Sequence, residues 1–151
     1  MAPPTVGDLR AKILKFAKDK VGTKVGSGEC FDLANKALAD AGAKSASDFG
    51  EVTADADYVW GTEIPIAKAA AGDLLQYRRY KMETEITTAM SFPNRASLEY
   101  TEISSLSRPH HTSVAASGVS GGVPKIQEQT ASRSGTALDN TGCACQSHTP
   151  R

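Results

Sequence analysis

The sequence predicts an α+β domain in which N-terminal helices pack on an antiparallel β-sheet. Apolar residues recur at helical spacing up to Ala41 and at period two after Gly72. Helices first and strands afterwards is the order of an α+β fold rather than of alternating βαβ units. A third observation bounds the domain. From Ala131 to Arg151 the only large aliphatic residue is Leu138, amid Ser, Thr, Gly, Asn and Gln. Such a segment cannot bury enough surface to offset the entropy of ordering it. The expected organisation is therefore a working domain over 5–130 and a polar, disordered tail over 131–151.

Each element has its own signal. Thr5-Val6-Gly7-Asp8 reads as a helix start, with Thr5 as N-cap and Asp8 completing a variant capping box. Val6, Leu9, Ile13, Phe16 and Ala17 then share one face, and the helix ends near Val21-Gly22. A glycine-rich turn over 22–29 leads to a second helix opening at Cys30. Phe31, Ala34, Ala37, Leu38 and Ala41 form its inner face, and Gly42 is placed as its C-cap. Ser45 to Ala69 reads as irregular, anchored by Tyr58, Val59, Trp60 and Ile64. After Gly72-Asp73, Leu74-Leu75-Gln76-Tyr77 suggests a strand. Tyr80, Met82, Thr84, Ile86, Thr88 and Met90 alternate with polar residues, as in a half-buried strand. Phe92-Pro93-Asn94-Arg95 is a turn, and Ser97–Ser104 the returning strand. His111–Ala116 and Val123–Gln129 are two further strands.

Composition narrows the class. The chain has 151 residues, one domain's worth, with 17 Lys+Arg against 17 Asp+Glu and a pI near 6.8. Nucleic-acid proteins carry basic excess, so no nucleic-acid partner is expected. No apolar run approaches the ~18 residues of a membrane span. The first residues lack a charged segment followed by an apolar one. Three cysteines do not make a disulfide framework. These features predict a cytoplasmic, reduced protein.

Three residues could carry chemistry together. Cys30 opens a predicted helix, whose N-terminal N–H groups stabilise a thiolate. His111 begins a predicted strand in Arg108-Pro109-His110-His111-Thr112-Ser113-Val114 and could take and return a proton. Glu128, near the end of the next strand, could orient that imidazole. The Cys30 N–H could also face a developing oxyanion.

Gly28-Glu29-Cys30-Phe31-Asp32-Leu33-Ala34, Ala71-Gly72-Asp73-Leu74-Leu75-Gln76-Tyr77, Pro109-His110-His111-Thr112-Ser113-Val114 and Glu128-Gln129 occur in the order of a known pattern. The chain resembles the papain-like superfamily of the CHAP and NlpC/P60 type, and most of all the cysteine-proteinase-fold domain of fungal cortical actin-patch proteins. The resemblance covers roughly 6–129. It implies a papain-like core with Cys30 as nucleophile, His111 as base and Glu128 as orienting residue. Where relatives often have asparagine after the Glu-Gln pair, this chain has Thr130.

Each residue also has a plainer reading. Free cysteine is among the most buried residue types, so Cys30 could be structural. His110 competes as base, although neighbouring strand residues face opposite sides. Glu128 could be a solvated surface glutamate. Glu29 and Asp32 could simply complement the helix N-terminus, and Arg78, Arg79 and Lys81 read as an exposed strand or turn. Cys143, Cys145 and His148 offer soft ligands, but too few and too close for structural zinc. Gly22, Gly26 and Gly28 lack the Lys-Ser/Thr of a phosphate loop. Two functions follow: a cysteine peptidase or amidase acting on a peptide or amide substrate without metal or organic cofactor, or a catalytically silent interaction module with a protein partner in the cleft.

Overall fold

The computed structural model describes residues 2–53, 58–121, 124–128 and 145–149. Helix α1 spans Val6–Asp19. The Asp8 N–H donates to Thr5 Oγ1 at 3.2 Å, and the Thr5 N–H donates to the Asp8 carboxylate at 2.9 Å. Both bonds satisfy donors that the first turn leaves without intrahelical acceptors. Leu9, Ile13 and Ala17 are buried, whereas Val6 at the rim stays exposed. Helix α2 spans Cys30–Ala41 and ends at Gly42 in the left-handed conformation. Its buried face includes Leu33 as well as Ala34, Ala37, Leu38 and Ala41.

The fold is α+β. Among the described residues two helices accompany one five-stranded sheet with every pairing antiparallel. The strands are β1 (Thr62–Ile64), β2 (Leu74–Phe92), β3 (Arg95–Ala115), β4 (Ile126–Gln127) and β5 (Cys145–Thr149), in the spatial order β1-β5-β2-β3-β4. One face of the sheet presents Leu74 and Val114 to both helices and to the fully buried Trp60. The other face presents Leu75, Tyr77 and Ala115 to Ala69 and Ile126. Two short 3₁₀ turns, Ala46–Asp48 and Ile66–Lys68, interrupt the irregular connection.

Several expectations are corrected. The strand segments either side of Arg78-Arg79 are one strand, and so are those either side of Pro109. Consequently His111 lies within β3 rather than at a strand start. The pairing register runs from Arg78–His110 to Tyr80–Arg108 with no Arg79–Pro109 pair between them. Proline lacks an N–H for the ladder, and Arg79 opposite it has a left-handed backbone (φ 52°). The ladder therefore passes the proline without breaking the strand. The alternation at Ile86 and Met90 does not mark a half-buried face either: both are exposed, as are Leu98, Tyr100 and Ile103 across the hairpin. Beyond Lys81 the two strands leave the body as a two-stranded ribbon. Finally, Cys145–Thr149, within the expected tail, pairs between β1 and β2. Val123 and the stretch 129–144 lie outside the described residues.

An ion pair fastens α1 to the start of β2. Arg10 Nε donates to Asp73 Oδ1 at 2.7 Å and Nη2 to Oδ2 at 3.0 Å; the Ala70 N–H adds a bond at 2.8 Å. The approach is close enough that a Cβ on Gly72 (φ 92°) would sit 2.2 Å from the Arg10 carbonyl oxygen. Asp73 is fully buried, while the Arg10 side chain is 27% exposed. The two partners are thus not equivalent. Arg10→Ala strands a buried carboxylate and is expected to cost about 3–5 kcal/mol. Asp73→Ala lets the arginine turn to water and is expected to cost about 1–2 kcal/mol. Urea unfolding of both variants checks the order.

Candidate active site

The segment before α2 shapes the site. Gly26 (φ 59°) lies where a Cβ would be 2.6 Å from the Asp32 carboxylate, which accepts the Ser27 N–H at 2.7 Å. Asp32 thereby closes the glycine turn onto the first turn of its own helix. Glu29 occupies the N-cap position without a side-chain capping bond. It instead accepts from Arg108 Nη1 at 3.0 Å, linking the head of α2 to β3. Phe31 anchors the same turn from the other side, with ring centroids 5.0 Å from Tyr58 and 5.4 Å from Trp60. Trp60 is fixed in turn by its indole N–H donating to Gln76 Oε1 at 3.0 Å. The helix head carrying Cys30 is held by a turn, an ion pair and an aromatic cluster.

Across the sheet, His111 and Glu128 are both buried, and His111 Nε2 lies 2.8 Å from Glu128 Oε2. Glu128 follows β4 directly and is 4% exposed, so the solvated-surface reading of it is overturned. Tyr80 donates its hydroxyl to the same carboxylate, 3.1 Å from each oxygen, and its ring stacks on the imidazole at 4.2 Å. With Nε2 engaged, Nδ1 is left without a hydrogen-bond partner among the described residues.

The Cys30 thiol interacts with this imidazole and with the Thr112 N–H. Burial works to raise the thiol pKa, but His111, the Thr112 N–H and the Arg108 charge together outweigh it and bring it below its ordinary value. For His111, burial opposes the charged ring, yet the thiol and the Glu128 carboxylate prevail and push its pKa up to about 9. Opposite displacements of this kind favour a thiolate–imidazolium pair over two neutral groups. Such a pair can attack an electrophilic carbonyl and deliver a proton to the departing group.

A cleft of about 480 Å³ opens beside Cys30, walled by Phe31, Tyr58, Val52, Arg108 and His110. His110 thus lines the cleft, while His111 is the ring that lowers the thiol pKa. A second cavity, about 520 Å³ beneath the glycine turn, is lined by Lys20, Lys24 and Lys36 and contains none of the three residues. Among the described residues no group of three or more His, Cys, Asp or Glu side chains could hold a metal. Cys143 lies outside the described residues. No helix among them is long and apolar enough to cross a membrane.

The structure therefore brings Cys30, His111 and Glu128 together, and adds Tyr80, Arg108 and the Thr112 N–H. Arg108 stood in the quoted histidine block and could have been read from its proximity. Tyr80 carried only a strand-periodicity signal. Compared with protein-family models, with curated proteins and with solved structures, the chain matches none.

Arg108 contributes the weakest of the effects that lower the thiol pKa. Arg108→Gln is expected to raise the midpoint of Cys30 alkylation by roughly half a pH unit. Iodoacetamide labelling across pH, resolved by peptide mapping, measures the shift.

Proposed function

We propose that the protein is a cysteine hydrolase, a peptidase or amidase, built on a papain-like core of the CHAP type. The observation that carries this reading is the buried His111 imidazole, bonded to Glu128 at 2.8 Å and acting to lower the pKa of the Cys30 thiol. Supporting it are the order Cys–His–Glu along the chain, the thiol at a helix head, and the antiparallel sheet that carries the histidine. The chemistry needs no metal or organic cofactor.

In the proposed cycle the Cys30 thiolate attacks the substrate carbonyl carbon, whose oxygen takes up the negative charge. The Cys30 N–H, at the start of α2 where the first N–H groups have no intrahelical acceptor, is the donor available to that oxygen. Collapse of the adduct breaks the C–N bond, and the His111 imidazolium gives its proton to the leaving amine. Water then attacks the thioester with His111 taking its proton, and cleavage of the C–S bond releases the acid and restores the thiolate beside the imidazolium. Glu128 keeps the ring oriented and stabilises its charged form throughout. The cleft walled by Phe31 and Tyr58 would seat the substrate beside the sulfur.

The pH dependence follows from the two displaced groups. Activity rises as the thiol deprotonates, below the ~8.5 of a free cysteine. It falls as the imidazolium loses its proton near 9. Iodoacetamide should therefore alkylate Cys30 with a midpoint below that of a free thiol, and His111→Ala should move the midpoint up towards it. In a screen of amide substrates, Cys30→Ala should abolish turnover. An ordinary thiol profile in both proteins would sink the hydrolase and leave the interaction module as the reading.

A further inference from the structure

Tyr80 stands on the wrong side of its strand. In β2 the side chains of Leu74 and Gln76 face the helices, while Leu75 and Tyr77 face the opposite layer with Ala115 and Ile126. Strict alternation would put Tyr80 with Leu74 and Gln76. Instead it packs with Tyr77, ring centroids 5.4 Å apart, in the second cluster. The change of phase occurs at Arg79, the one described non-glycine residue with a left-handed backbone. That conformation is unfavourable for a residue with a side chain, and such strain gathers at functional sites. What the phase change achieves is specific: Tyr80 lies flat on His111 and reaches both oxygens of Glu128.

We infer that Tyr80 is a positioning residue of this site, delivered by the left-handed backbone at Arg79, and that its hydroxyl holds the Glu128 carboxylate in line with His111. The inference rests on the cysteine–histidine reading above and extends it by one residue. A carboxylate accepting only from the imidazole is free to rotate about its terminal torsion. The second donor, bonded to both oxygens, removes that freedom. The other charged or titratable groups near the cluster are Cys30 from α2 and Glu29 at its N-cap, Arg108 and His110 from β3, and Tyr77 from β2. Within the cluster itself, the Tyr80 hydroxyl is bonded to both oxygens of Glu128 at 3.1 Å.

The test compares two hydroxyl deletions of equal burial. Tyr80→Phe keeps the stacked ring and removes only the donor. The carboxylate then supports the imidazolium less well, so the midpoint of Cys30 alkylation should rise by about one pH unit. Tyr77→Phe removes a hydroxyl that lies 2.8 Å from Ser113 Oγ and should leave the profile in place. Arg79→Gly supplies the same backbone without the steric penalty. It should keep both the profile and the thermal midpoint, and remains informative even if Tyr80→Phe does not fold. Superimposable profiles for Tyr80→Phe and the parent, or equal shifts for both tyrosine variants, would overturn the inference. So would a lowered thermal midpoint or a shifted profile in Arg79→Gly. Alkylation is read without any substrate, so failure to find amide turnover would leave the Tyr80 result standing. A flat Tyr80 result would equally leave the hydrolase standing.

Discussion

An imidazole shut away from water can remain charged only beside a partner that favours its charged form. His111 has that partner in Glu128 at 2.8 Å, each buried. Neither burial nor charge alone would suffice. An exposed pair would be screened and worth little, and a buried imidazole without its partner would be driven neutral by desolvation. The Cys30 thiol inherits this balance, because the charged ring is the strongest of the influences that favour its thiolate over the neutral form. Everything else around the site fixes the geometry on which that balance depends.

The fixing is done from three directions by different forces. The head of α2 is set by backbone chemistry, through the glycine turn that Asp32 closes, and by packing, through Phe31 against Tyr58 and Trp60. Glu29 and Arg108 then join that head to β3, three residues before His111. The sheet side is set by the β2–β3 register, which puts Tyr77 opposite His111. Apart from the local Asp32 turn, these constraints span elements distant in sequence, so the site forms only when helix and sheet have docked. The Arg10–Asp73 pair, at the point where β2 begins, supports that docking away from the chemistry.

The helices were legible because their signals are local. A capping box at Thr5 and Asp8, a 3.6-residue apolar period and a glycine at position 42 each act within a few residues. Cys30, His111 and Glu128 were legible as residue types in a plausible order, although their proximity is a property of the packed chain. The strands were less so. Pro109 and the Arg78-Arg79 dipeptide look like interruptions, yet an irregularity on one strand sits opposite the residue that cannot donate on the other. Alternation at Ile86 and Met90 is the mark of an amphipathic strand, but pattern alone does not say whether anything covers the apolar side. Cys145–Thr149 was missed for a different reason. A strand inserted between two others gains its stability from backbone pairing on both edges, which polar residues supply as well as apolar ones. Tyr80 was hidden by the phase change at Arg79, which no periodic template contains.

The position of the site along the sheet follows from the same geometry. Up to Tyr80 and Arg108 most side chains of the two long strands are buried or half-buried, Arg78, Arg79 and Pro109 excepted; beyond Lys81 and Ser107 the described side chains of the ribbon are predominantly exposed. Two-stranded ribbons are marginal by themselves in water, so this one depends on its anchored base. That base is the cluster of Tyr77, Tyr80, His111 and Glu128. The proposed thiol–imidazole pair would need low dielectric to displace its pKa values and open space to admit a substrate. The margin where the sheet passes from covered to bare offers both within a few residues. On one side lies the buried carboxylate that keeps the ring charged, and on the other the cleft at Cys30.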